Sequence, residues 1–286
     1  EHGIMSWFMY LKELEEITTV LTSRNRYDQE LNLDYKEIKF PKSIFEKIKV
    51  DSHFIIQKSL LKSKYTLNSS GKAKLYGYNS FNGMLTRINE VVKKNSSKKK
   101  YIYAYWGGFD KWCHFYGKEH AYAKEHLKQI DSTIEKFSKK MKGTDSLVLI
   151  TADHGQVTSS KKNIIFIPKH PLLKECLCLP LCGEPRAAFC YVYPSKRQQF
   201  ESYVKHKMSK YCSLHQTEEL IEKGYFGRGK AHPNLLSRIG DYVLLLKDNY
   251  VFVDLVPGEK EDKRMIGNHG GLSEEEMIVP LVKVRL

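Results

Sequence analysis

The sequence predicts an α/β fold with a largely parallel sheet flanked by helices. Three observations carry that prediction. Leu147-Val148-Leu149-Ile150 is a short apolar run of strand-favouring residues that ends in Asp153-His154-Gly155. Tyr101-Ile102-Tyr103-Ala104-Tyr105-Trp106 is a second run, aromatic and β-branched, that leads into Gly107-Gly108-Phe109-Asp110. Between them, residues 118–142 carry Ala121, Ala123, Leu127, Ile130, Ile134 and Phe137 at helical spacing, with Gly143 as a stop. Strand, helix and strand in that order give a right-handed parallel crossover, which places both strand ends on one edge of the sheet. Open α/β sheets put their chemistry at that edge.

Both strand ends carry an acid and an imidazole. Asp153 and His154 are adjacent, and Gly155 lets the chain turn sharply after them. Asp and His together are good ligands for zinc or a similar divalent cation, although an ordinary polar turn would read the same by itself. Asp110 and His114 are four apart, so one helical turn brings them to one face. Gly267-Asn268-His269-Gly270-Gly271 lies near the C-terminus, and its glycines suit a tight loop that approaches something closely. Two carboxylates and three imidazoles exceed one structural zinc site and suit a pair of metals.

The set Asp110-x3-His114, Asp153-His154-Gly155 and His269-Gly270-Gly271 resembles the alkaline phosphatase superfamily. In order and spacing it is most similar to the type I phosphodiesterase/nucleotide pyrophosphatase branch, over essentially the whole chain. Gly183-Glu184-Pro185-Arg186-Ala187-Ala188 and the stretch from Gly271 to Pro280 also resemble this branch's bacterial members. The resemblance implies an alkaline-phosphatase-like sandwich, a single catalytic domain over residues 1–286, with a smaller lobe inserted at about 156–240. It implies two divalent metal ions roughly 4 Å apart that clamp a phosphoryl group, zinc or, as the alternative, manganese. Asp110, His114 and His269 would hold one ion. Asp153 and His154 would hold the other, with an Asp that lies upstream in the family as its third ligand.

The family's upstream part also supplies a Thr or Ser nucleophile, phosphorylated and then hydrolysed. The apolar stretch from His2 to Leu11 resembles one that follows that nucleophile, so about the first quarter of the usual domain is expected to be missing. Ser6, Thr18 and Thr19 match no nucleophile motif and read as structural. The implied activity is hydrolysis of phosphate esters, namely phosphodiesters or nucleotide pyrophosphates, on a small-molecule or nucleotide substrate. The alternative is a catalytically inactive phosphate- or nucleotide-binding module produced by truncation.

Composition sets bounds on this reading. A chain of 286 residues with 41% hydrophobic content can build a sizeable core. No apolar run approaches the length of a membrane span. A net charge of +14, from 47 Lys+Arg against 33 Asp+Glu, reads first as a plain Lys-rich surface, and second as a field that steers a phosphate-bearing substrate or holds nucleic acid loosely. The lysines at 93, 94 and 98–100, around Asn95-Ser96-Ser97, look like a solvated loop with little aromatic interleaving. A specific nucleic-acid surface is therefore not indicated. Cys176-x-Cys178-x3-Cys182 is dense enough for a zinc knot, but no second ligand pair follows, and reduced thiols are favoured. Reduced thiols and no visible secretory signal point to a cytoplasmic compartment.

The remaining segments carry little chemistry. Residues 22–100 are polar and mixed, with a turn and short helix at 40–48. An amphipathic helix follows Gly83, with Met84, Ile88, Val91 and Val92 on one side. Strands are expected at 164–168, 187–193 and 278–284, and helices at 195–210 and 218–224. Residues 241–246 and 250–253 are expected to form a hairpin. Arg186 and Arg228 either reach a phosphate or serve the structure. His232 is a weak ligand candidate without a partner motif. Tyr65, Tyr76 and Tyr78 either stack on a base or pack in the protein.

Overall fold

The computed structural model describes residues 3–94, 97–259 and 265–286. It is a mixed α/β protein of two compact units. One comprises Glu1–Phe40 and His154–Ile278, the other Pro41–Asp153 and Val279–Leu286.

The second unit is built on three parallel strands in the order Lys74–Tyr78, Asp51–Gln57, Lys100–Ala104. The central strand is buried everywhere except its two end residues. Residues 22–100 read as polar and mixed, so two of these strands escaped the sequence reading. The apolar part of the central strand is only Phe54-Ile55-Ile56, and polar Asp51, Ser52, His53 and Gln57 mask it. His53 is nonetheless buried, with its Nδ1 3.2 Å from the Tyr76 hydroxyl. Tyr78 is buried too and donates to the Tyr105 carbonyl, so it packs rather than offers a stacking face.

The helix Phe81–Lys93 covers this sheet as expected. Ser80 caps its first turn by accepting from the Gly83 N–H, and Met84, Leu85 and Val91 are buried beneath it. The long helix is Ala121–Met141, followed by Gly143 at φ +84°. The strand Leu147–Thr151 forms, but its partner is Leu281–Arg285, antiparallel, with Thr151 opposite Leu281. It shares no ladder with Lys100–Ala104, contrary to a simple crossover. The last strand starts after Pro280, which has no N–H to give to the ladder.

The first unit contains a four-stranded antiparallel sheet in the order Cys182–Glu184, Ala187–Cys190, Tyr242–Leu246, Cys212–Gln216. Alternation along its strands sends Ala188, Cys190 and Leu244 into one core, with Ile167, Leu173, Phe200 and Met208. Phe189 and Val243 enter another, with Ile17, Leu235 and Ile239. The expected hairpin at 241–253 does not form. Tyr242–Leu246 is apolar on both faces and sits between two strands, so both of its edges are taken. Val251–Val253 instead pairs in parallel with Ile164–Phe166.

The expected helix at 195–210 is Arg197–Tyr203, with a widened last turn over Val204–Met208. Arg238, fully buried, fastens the N-terminal segment. It donates to the carbonyls of Gly3 and Ile38 and to the Glu13 carboxylate.

The zinc knot is not built. Cys176 and Cys182 pack in different clusters, Cys178 is exposed, and burial pushes the Cys182 thiol up to about 12. Asn95 and Ser96 of the lysine-flanked loop, and Glu1 and His2, lie outside the described residues. No helix among the described residues is long and apolar enough to cross a membrane.

Candidate metal and phosphate site

In the second unit, the helix Gly108–Tyr116 starts after Gly107 and ends at Gly117, whose φ of +84° closes the last turn. The Gly117 N–H donates to the Cys113 carbonyl over 2.8 Å. One turn of this helix sets His114 Nε2 3.3 Å from Asp110 Oδ2, both side chains partly open to solvent. Cys113, between them in sequence, is buried. Burial first, and then the Asp110 charge, push its thiol up to about 11, so it stays protonated at neutral pH. Trp112 and Tyr116 stack on each other with ring centroids 5.3 Å apart.

Asp153 follows the strand Leu147–Thr151. Tyr105 links it to Asp110: the phenol is pushed up to about 12, by burial first, then by the charges of Asp153 and Asp110. Tyr103 is pushed up in the same way, by burial and then by Asp153. The unit thus brings its two candidate carboxylates within electrostatic reach of one hydroxyl. Tyr105 is a residue that the motifs did not reveal. Two carboxylates and an imidazole gathered in this way suit a divalent cation.

The first unit brings together the other two. The imidazoles of His154 and His269 stack with centroids 3.7 Å apart and planes at 16°. His154 Nδ1 lies 2.9 Å from the Gly155 carbonyl, which can only accept. Nδ1 therefore donates a proton to that carbonyl.

Two loops hold this pair. Gly267 and Asn268 pair antiparallel with Thr158 and Val157. The Gly155 N–H donates to the Glu276 carbonyl over 2.8 Å, and a Cβ on Gly155 would stand 2.0 Å from the Glu275 carbonyl oxygen. Only glycine fits there. The Asn268 amide donates to the carbonyls of Met265 and Ile266 at 3.2 and 3.3 Å, so it braces its own loop.

Glu276 was invisible as a site residue, although Ser273 followed three residues later by Glu276 is a capping-box spacing. Its buried carboxylate accepts from Arg186 Nε and Nη2 at 3.0 and 2.8 Å, from the Gly271 N–H at 2.8 Å and from Ser273 Oγ at 2.6 Å. Burial pushes this carboxyl up, but the hydrogen bonds from Arg186 and Ser273 outweigh it and hold the group below the usual range. Arg186 is fully buried, which settles it as structural rather than phosphate-reaching. Arg228 is exposed in a loop. His232 is buried and accepts from the Asn234 N–H at 3.1 Å, a local turn contact.

The type I phosphodiesterase / nucleotide pyrophosphatase family model matches residues 1–272. The chain belongs to that family. Its members are phosphodiesterase- and pyrophosphatase-type hydrolases of phosphoesters, and the family is metal-dependent.

Solved structures agree on the fold. The inactive murine ectonucleotide pyrophosphatase / phosphodiesterase 5 in complex with AMP matches at TM-score 0.70 and 17% identity, covering 99% of this chain and 71% of that one. The human ectonucleotide pyrophosphatase / phosphodiesterase 5 matches at TM-score 0.71 and 15% identity, covering 99% and 71%. Phosphonoacetate hydrolase from Sinorhizobium meliloti 1021, in complex with phosphonoformate, matches at TM-score 0.65 and 15% identity, covering 99% and 75%. Among curated proteins no relative matches.

Proposed function

We propose that this member of the type I phosphodiesterase / nucleotide pyrophosphatase family acts on phosphodiesters or nucleotide pyrophosphates through two divalent ions. Asp110, His114 and His269 would hold one, and Asp153 and His154 the other. The observation that carries this reading is the helical turn that sets His114 Nε2 3.3 Å from Asp110 Oδ2. The stacking of the His154 and His269 rings, with centroids 3.7 Å apart, supports it by bringing two candidate ligands together. Three imidazoles and two carboxylates favour zinc, with manganese as the alternative. Bound there, the ions would polarise a phosphoryl oxygen and acidify a hydroxyl or water. AMP in the murine neighbour and phosphonoformate in the Sinorhizobium one support a small phosphate-bearing substrate.

The covalent step needs a Thr or Ser nucleophile, and no residue of this sequence matches its motif. Thr18 and Thr19 are buried in the strand Glu16–Thr19, and Ser6 Oγ donates to the Phe8 carbonyl. These placements favour a second reading for this sequence by itself, a phosphate- or nucleotide-binding module without turnover.

Calorimetric titration of zinc into chelator-treated protein tests both readings. Three ligands from Asp110, His114 and His269 should hold one ion tightly. Asp153 and His154 supply only two, so elemental analysis after dialysis should give nearer one metal per chain than two. His269→Ala should release most of it. Two tightly held ions would mean that another residue completes the second set, and no binding at all would overturn the metal site. Turnover of a chromogenic phosphodiester by this sequence should lie several orders of magnitude below ordinary enzyme rates, because the nucleophile acts as a unit with the metals. Ordinary rates would overturn the second reading.

A further inference from the structure

We infer that Arg186 and Glu276 are positioning residues for the His154–His269 pair. They connect the antiparallel sheet to both imidazole-bearing loops through one buried ion pair. This rests on the reading that the two imidazoles face a metal.

The connection can be followed atom by atom. Arg186 sits at the turn between the strands Cys182–Glu184 and Ala187–Cys190, and its carbonyl accepts from the Leu246 N–H at 3.0 Å. Its Nη1 donates to the Tyr250 carbonyl at 2.7 Å. With the guanidinium fixed in this way, Nε and Nη2 grip both oxygens of Glu276. A planar fork on a carboxylate sets orientation as well as distance, which a point charge cannot do.

Glu276 then reaches both loops. Its side chain takes the Gly271 N–H, two residues after His269. Its main-chain carbonyl takes the Gly155 N–H, the residue after His154. The geometry is tight on each side. A Cβ on Gly271 would lie 2.8 Å from Glu276 Oε2, and one on Gly270, at φ +99°, would lie 2.6 Å from Glu184 Cβ. Ser273 Oγ, at 2.6 Å from Oε2, completes the hold. One residue therefore fixes where both loops run, and the stacked rings at 3.7 Å are the outcome. Glu276 acts on the two loops through backbone, at the Gly271 and Gly155 N–H groups.

The test uses the whole chain and three variants: Arg186→Lys, Glu276→Gln and Ser273→Ala. The first readout needs no metal. Ring stacking displaces the imidazole Cε1–H proton signals of His154 and His269, which are assigned with His154→Asn and His269→Asn. Arg186→Lys and Glu276→Gln should move both signals toward the values of an unstacked histidine. Ser273→Ala, which keeps the ion pair, should move them less. Arg197→Lys, at the exposed pair with Asp241 in the same unit, should leave them in place. The second readout is zinc affinity by calorimetry, expected to fall about 10- to 100-fold in Arg186→Lys and Glu276→Gln.

Unmoved imidazole signals and unchanged zinc affinity in folded variants would overturn the inference. If the wild-type chain binds no zinc, the metal reading fails, and the proton signals still decide whether the ion pair places the rings. If Glu276→Gln does not fold, Arg186→Lys decides: no movement of the signals there overturns the inference.

Discussion

The helix Gly108–Tyr116 and the loop pair around His154 and His269 achieve the same thing by opposite means. Each sets two potential ligands side by side. On the helix, the regular backbone does it. Asp110 and His114 need only one turn between them, and their contact is partly open to solvent. In the loops, no regular element spans the distance. The stacked imidazoles depend on a two-residue ladder, on a glycine pressed against the Glu275 carbonyl and on a carboxylate buried with Arg186. Geometry made locally is separable from stability, whereas geometry made by long-range contacts is part of stability. Substitutions should therefore affect binding without unfolding in the first region, and both together in the second.

Arg186→Met gives the largest expected effect. It leaves the Glu276 carboxylate buried without its guanidinium, and breaking one side of such a pair typically costs about 3–5 kcal/mol. Urea unfolding of the metal-free protein measures it. Gly155→Ala comes next. The new methyl would meet backbone rather than a movable side chain, so repacking should cost about 1–3 kcal/mol. Asp110→Asn keeps the side chain's size and an oxygen for His114 to meet, so stability should change by about 1 kcal/mol, the net worth of one hydrogen bond, while most zinc binding is lost in the same titration. The comparison breaks if Asp110→Asn unfolds the protein as readily as Arg186→Met does.

The same contrast explains what could be read from the sequence. Asp110 and His114 were legible because four-residue spacing means one helical face, and the helix did form. Strand-end and glycine-loop signals single out Asp153, His154 and His269, and the structure places Asp153 after its strand and stacks the two imidazoles. The long helix Ala121–Met141 and the capped helix Phe81–Lys93 followed from spacing in the same way. Glu276 and Arg186 were not assigned to the site, because a buried ion pair between distant segments leaves no periodic trace. Tyr105 was hidden for another reason: it belonged to an apolar run already explained as a strand. The central strand Asp51–Gln57 was missed because polar residues bracket its apolar stretch. Adjacency in sequence suggests a hairpin at 241–253, but the sheet offers Tyr242–Leu246 two better neighbours.

The smallest expected effect sharpens the comparison through pH. Burial lowers the pKa of His170, His215 and His232 in the first unit, and of His53 and His126 in the second. A histidine held below its unfolded value of about 6.5 stabilises the fold fully above that pH. As pH falls, the unfolded chain takes up the proton first, so that stability is lost toward the folded value. Glu276 behaves oppositely in range: its carboxyl is lowered from 4.5, so its contribution is intact above that pH and fades only below it. Between pH 7 and 5 the histidines should therefore act while the ion pair does not. Melting temperature in the presence of chelator should fall over that window in wild type. His170→Gln keeps a polar group opposite the Tyr203 hydroxyl, which lies 2.9 Å from His170 Nδ1, and removes the titration. It should flatten the slope slightly. Arg186→Met should lower the whole curve and flatten its slope, because without the guanidinium burial pushes the Glu276 carboxyl up, and its protonation as pH falls offsets part of what the histidines lose. A steeper slope in Arg186→Met would mean that loosening the loops exposes a buried histidine, and that the ion pair and the imidazoles do not contribute independently.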